Sequence, residues 1–166
     1  MVNIRRATPE DANRICELHR SSIRQLCGAS YSAGQIASWT EALQPERYLP
    51  AMEKFDFFVA EVGEVVGFCI VDPDGAELNA LYVDPGFSGQ GVGSALLEHA
   101  ERVARSHSVA RLRVKSTLNA VTFYASHGFR RVRRALHVNP AGLELECVVM
   151  TKTLPAAASA TDTGNE

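Results

Sequence analysis

Two rhythms of hydrophobic and polar positions alternate along this chain. "VNIRRA" at the start has the composition of a strand. After it, Ile15, Leu18, His19, Ile23 and Leu26 recur three and four apart until Gly28, the period of an amphipathic helix. Thr8 as cap, Pro9 in the first turn and Asp11 three residues after the cap mark where that helix begins. "YSAGQIASW" and "PERYLPAMEKF" read as two short helices. The rhythm then shortens: "FDFFVAEV", a turn at Gly63-Glu64, "VVGFCIVD", the turn "DPDG" and "AELNALYV" predict a three-strand antiparallel meander.

A helix returns after residue 93, with Leu96, Leu97, Ala100, Val103 and Ala104 in one apolar stripe, and the strand "ARLRVKS" follows it. Residues 77–115 therefore form a β-loop-α-β unit, in which the helix N-terminus lies near the carboxyl end of the preceding strand. Asn119 is placed to cap a short helix, "AVTFYASH", that stops at Gly128. "FRRVRRALHV" and "LELECVVMTKTL" then predict two strands joined across residues 139–142. No internal repeat is visible. One domain over 1–154 is expected, with 155–166, small, polar and without periodicity, as a disordered tail.

At 166 residues, 46% apolar and 22% charged, the chain has the makeup of an ordinary soluble domain. A net charge of −2 argues against an electrostatic nucleic-acid partner, and "RRVRR" at 130–134 reads as an exposed strand face. The N-terminus lacks an apolar signal core, and no apolar run approaches the ~18 residues of a membrane span. Cys16, Cys27, Cys69 and Cys147 are scattered, without metal-ligand spacing, so a cytoplasmic protein with free thiols and no metal is expected. A homodimer is the default assembly for a soluble chain, but no residue pattern specifies one.

The stretch "DPGFSGQGVGSALLEHA" (84–100) holds Gly86, Gly89, Gly91 and Gly93 and runs straight into the apolar helix. Glycines leave backbone N–H groups uncovered, and the helix adds unpaired first-turn donors and the positive end of its dipole. Together these predict an anion cradle. A dinucleotide-binding fingerprint would need Gly-x-Gly-x-x-Gly, and a P-loop would need Gly-Lys-Ser/Thr; the loop matches neither.

With "STLNAVTFYASHGF" about 25 residues later, this stretch closely resembles the GCN5-related N-acetyltransferase (GNAT) family, and the element order over residues 2–154 matches too. The resemblance implies an α/β fold: a central, mostly antiparallel sheet of about seven strands flanked by helices. It implies acetyl-CoA as cofactor. Backbone groups of the strand Leu81, Tyr82 and Val83 would pair with the pantetheine arm as an added strand. The amides of Ser88, Gly89, Gln90, Gly91, Val92, Gly93 and Ser94 would hold the pyrophosphate, and Asn119 would bond the pantetheine or a water beside it. Ser88 stands where the family usually has Arg or Gln, which removes a charge or a long amide from the cradle.

The resemblance also implies the chemistry. Tyr124 matches the general acid toward the CoA sulfur, and the Leu81 N–H would polarise the acetyl carbonyl. Glu77, eleven residues before Ser88, matches the spacing of a general base, whose pKa partial burial would raise; Asn79 and Asp72 are alternates. The acceptor would be a primary amine of a small molecule or peptide, with no nucleic acid or membrane partner. Tyr31, Gln35 and Trp39, with Tyr48, are candidates to wall its pocket, and Glu144 or Glu146 to hold a cation. The same spacing also suits a helix packing on the core. Cys147 reads as a small buried thiol. The alternative reading is a CoA-binding regulatory module without transfer chemistry.

Overall fold

The meander expected over residues 56–83 forms as β2 (Asp56–Val62), β3 (Glu64–Asp72) and β4 (Glu77–Val83), paired antiparallel in sequence. The computed structural model describes residues 1–139 and 141–156, so Pro140 and residues 157–166 of the expected tail lie outside the described residues. β1 (Asn3–Arg6), β5 (Arg111–Thr117), β6 (Arg130–Val138) and β7 (Glu144–Thr153) complete a seven-stranded sheet in the order β1-β2-β3-β4-β5-β7-β6. β4 with β5 is its one parallel pair.

β3 lies mid-sheet and is buried from Val65 to Val71 because both faces are covered, which explains its unbroken apolar run. On one face Phe58, Ala60 and Val66 pack with Leu96, Leu97 and Ala100 of α4 (Val92–Ser106). On the other, Phe57, Val59 and Phe68 pack with Ile15, Leu18 and Ile23 of α1 (Ala12–Leu26). α1 is entered through a 3-10 turn, Pro9–Asp11, where the Asp11 carboxylate accepts the Thr8 N–H at 2.8 Å and pairs with Arg5 at 2.8 Å. α2 (Ala33–Glu41) and α3 (Tyr48–Lys54) extend this second layer.

The expected Asn119 cap does not form. A 3-10 turn, Leu118–Ala120, precedes α5 (Val121–Ser126), which moves the cap position to Ala120 and puts Asn119 inside the turn. Gly128 ends α5 as expected, at φ 91°. β6 is the sheet's outer strand, and Arg130, Arg131, Arg133 and Arg134 are all exposed on it. All four cysteines are buried and free. Among the described residues, no helix is long and apolar enough to cross a membrane.

One irregularity opens the middle of the sheet. β4 pairs with β5 only at Glu77↔Arg113 and Leu78↔Val114, while β5 stays paired to β7 along its whole length. Opposite β3, the register skips at Asn79, a bulge that bends β4. From there the two strands part and the sheet forks.

Candidate functional site

Past the fork, β4 runs into a 3-10 turn, Pro85–Phe87, and the glycine loop. Asp84 accepts the Gly86 N–H at 2.9 Å and takes the Arg14 guanidinium at 2.6 Å, while Arg14 Nε donates to the Val65 carbonyl at 2.9 Å. α1 thereby fixes the mouth of the loop. Gly89 and Gly91 have φ of 75° and 84°, and a Cβ on either would project into open space, so only the sign of the backbone angle demands glycine. Gly93 is favoured by contact: a Cβ there would lie 3.3 Å from the Phe123 ring, where α4 meets α5, and the ring would have to shift by a few tenths of an ångström.

The loop closes one end of a groove of about 500 Å³ that runs along β4 beside the fork. Of the residues expected to hold a cofactor, all but Gln90 and Val92 line it. Gln90 turns back toward the Gly86 carbonyl at 3.4 Å, and the Val92 side chain is buried beneath α4. Tyr124 also lines the groove, T-shaped against Phe123 and Phe129 at 5.2 and 5.4 Å. Among the described residues its hydroxyl has no hydrogen-bond partner, and burial pushes the phenol above its ordinary range, so it keeps its proton. Asn119 lies against the Cys27 thiol, which burial pushes up to about 11.

Sequence reasoning missed His127. Its Nδ1 is 2.8 Å from the Phe123 carbonyl and its Nε2 2.9 Å from the Ser94 hydroxyl in the cradle. A carbonyl only accepts, which assigns the proton to Nδ1; in the neutral ring Nε2 then accepts from Ser94.

A second cavity, about 560 Å³, lies across β4 and shares Tyr82 and Thr117 with the groove. Tyr31 and Trp39 wall it as expected, in T-shaped contact at 5.6 Å. The Tyr31 hydroxyl donates to the Glu146 carbonyl at 2.6 Å and accepts the Leu118 N–H at 3.1 Å, latching the helical layer to β7. Gln35 does not reach the cavity. Its side chain accepts the Ser32 N–H at 2.9 Å in the capping box that starts α2. Glu77 lies on the wall, paired with Arg113 at 2.9 Å and Lys115 at 3.9 Å, two cations that the sequence reading did not foresee. Asn79 at the bulge and Cys147 line the chamber, whereas Asp72 only accepts the Gly75 N–H in its turn. Glu146 lines it beside Arg134 at 3.3 Å; Glu144 stays exposed outside.

His19, Arg47, Lys115 and His137 complete the chamber and were not singled out for it from sequence. His19 stands 4.1 Å from the Tyr82 ring and 2.8 Å from the Tyr48 hydroxyl, and burial lowers its pKa to about 3. Burial, then Lys115, lower His137 against the opposing pull of Glu77, so that imidazole is neutral near pH 7. The two cavities thus meet at the fork, one lined by main chain and glycine, the other by aromatic and charged side chains.

Comparison with known proteins agrees with this arrangement. The family profile described as the acetyltransferase (GNAT) domain matches residues 27–154. The peptidyl-lysine N-acetyltransferase YjaB of Salmonella typhimurium is 29% identical over 138 residues, covering 81% of this chain and 88% of its own. A crystal structure of a GCN5-related N-acetyltransferase from Rhodopseudomonas palustris superposes with a TM-score of 0.85 at 29% identity, over 92% of this chain and 95% of that one. The PaiA N-acetyltransferase of Thermoplasma acidophilum, in complex with coenzyme A, shares the fold with a TM-score of 0.73 at 22% identity, over 92% and 99% of the two chains.

Proposed function

Because the chain belongs to the GNAT family and is an acetyltransferase, we propose that it moves an acetyl group from acetyl-CoA to a primary amine of a small molecule or peptide, by direct attack on the thioester. The observation that carries this reading is the fork. β4 and β5 separate after two paired residues, so a groove suited to an extended arm and a chamber suited to an amine meet with only Tyr82 and Thr117 shared between them.

The groove fits the cofactor. Gly89 and Gly91 line the groove and a Cβ on either would meet nothing within 4 Å, so the main chain there stands open to a pyrophosphate, and the first-turn donors of α4 follow directly. β4 beyond Leu78 has main-chain groups unclaimed by β5, which suits strand-like pairing with a pantetheine arm at Leu81 and Val83. Acetyl-CoA supplies the activated carbonyl carbon. With that group bound, the Leu81 N–H would serve as donor to the carbonyl oxygen, and Tyr124, still protonated, would donate its O–H toward the departing sulfur. The ammonium proton goes to Glu77 or to neutral His137, which flank Lys115 on the chamber wall.

Titration calorimetry with acetyl-CoA, followed by thiol-release assays against amino acids, polyamines, aminoglycosides and lysine peptides, tests the reading. Saturable binding with amine-dependent release is expected. Binding without release for any amine would favour a CoA-responsive module, and absence of binding would overturn the groove assignment.

A further inference from the structure

The ion pairs on the chamber wall leave one cation over. Glu77 is matched by Arg113 and Lys115, and Glu146 by Arg134. Arg47 lines the same chamber and, among the described residues, pairs with no carboxylate; its one hydrogen bond there runs from Nη1 to the Ala42 carbonyl at 2.6 Å. It sits close enough to His19 to disfavour a charge on that ring.

His19 is the second observation. Only 9% exposed, it leaves Nε2 buried with no partner among the described residues. Nδ1 is 2.8 Å from the Tyr48 hydroxyl, and burial keeps that phenol protonated. The Tyr48 O–H has two acceptors within reach, Nδ1 and the Cys16 sulfur, and the imidazole nitrogen is the stronger. The neutral ring therefore carries its proton on Nε2, a buried donor lacking an acceptor, and such groups are rare unless a ligand or water completes them.

An unmatched guanidinium and an unmatched N–H donor on the same wall call for one anion. Glu77 lies on that wall too, on the strand whose fork opens to the thioester, and the apolar surfaces of Trp39, Ile70 and Leu145 complete the enclosure. We propose that the acceptor is an amine that also bears a carboxylate, an amino acid with an apolar or aromatic side chain, whose carboxylate is held by Arg47 and His19 while its amine faces the fork. This deepens the transferase reading and rests on it for the amine half only.

Matched acceptors test it: L-phenylalanine, L-phenylalaninamide, phenethylamine and a lysine peptide, each assayed for thiol release and, separately, for calorimetric binding with CoA present. The acid should exceed the amide and the plain amine at least tenfold in kcat/KM and in affinity. In Arg47→Gln that preference should collapse toward unity, mainly through KM. His19→Gln, should it fold, should do the same; Arg47, on a half-exposed position, keeps the test independent of that outcome. Equal rates for acid and amide, a lysine peptide as the best acceptor, or an Arg47→Gln effect shared by all acceptors would overturn the proposal. Selective binding of the acid with no release would sustain the carboxylate site and overturn the transferase reading instead.

Discussion

The groove and the chamber are nearly equal in volume, about 500 and 560 Å³, yet they are built on opposite principles. The groove draws on main-chain donors, glycine conformations and the start of one helix, most of it within residues 81–94. The chamber draws on side chains from α1, α2, α3, β3, β4, β5, β6 and β7. A surface made of backbone can keep one ligand while its side chains vary; a surface made of side chains changes ligand with each substitution. The invariant half of a two-substrate reaction belongs on the first kind of surface and the variable half on the second.

Four measurements test that contrast. A large effect is expected on chemistry at the boundary: Tyr124→Phe should lower kcat by about 10³-fold, within the range for a positioned acid, with CoA affinity unchanged because that hydroxyl makes no hydrogen bond among the described residues. An equal loss of CoA affinity would make Tyr124 part of the groove's binding surface. Next, Gly91→Asp should weaken CoA binding about 10²-fold by setting a carboxylate against phosphate. The left-handed backbone should cost the fold only about 1–2 kcal/mol, so thermal unfolding should remain cooperative. Unchanged CoA affinity in this variant would refute the cradle.

On the chamber side, Glu77→Gln and His137→Asn should divide the pH dependence of kcat/KM. The variant that removes the proton acceptor loses the rising acid limb and about tenfold or more in rate at neutral pH; the other keeps the limb. If both keep it, the proton leaves by another route. The last effect is on stability rather than turnover. His19 titrates near 3 in the folded chain against about 6.5 when unfolded. The unfolded state therefore binds more protons between those values, so stability is full above pH 6.5 and falls as pH drops toward 3. Urea midpoints measured across that window should fall less steeply in His19→Gln than in the unsubstituted chain.

Most of the fold was legible because periodicity is local: the meander, α1 and α4 follow from spacing alone, while the seven-stranded sheet was implied by the family resemblance. The glycine loop at the start of α4 was legible for the same reason, since glycines and helix start adjoin in sequence. Asn119 misled because capping chemistry does not announce an intervening 3-10 turn. Gln35 misled although its signal was present: Ser32 three residues earlier spells a capping box, which outcompeted the helical spacing shared with Tyr31 and Trp39. His19, Arg47 and His137 meet only through tertiary packing, and no spacing relates α1, the turn before α3 and β6. His127 was hidden more simply, as an ordinary residue at the end of a short helix.

The Tyr31 latch joins positions 87 and 115 residues apart along the chain. Synthesis proceeds in one direction, so every residue that lines the groove has been made once Tyr124 has, whereas the chamber lacks a wall until β7, the last strand, is in place. A growing chain thus holds every residue of the groove well before it can close the chamber, and the surface built from distant side chains is the last to take shape.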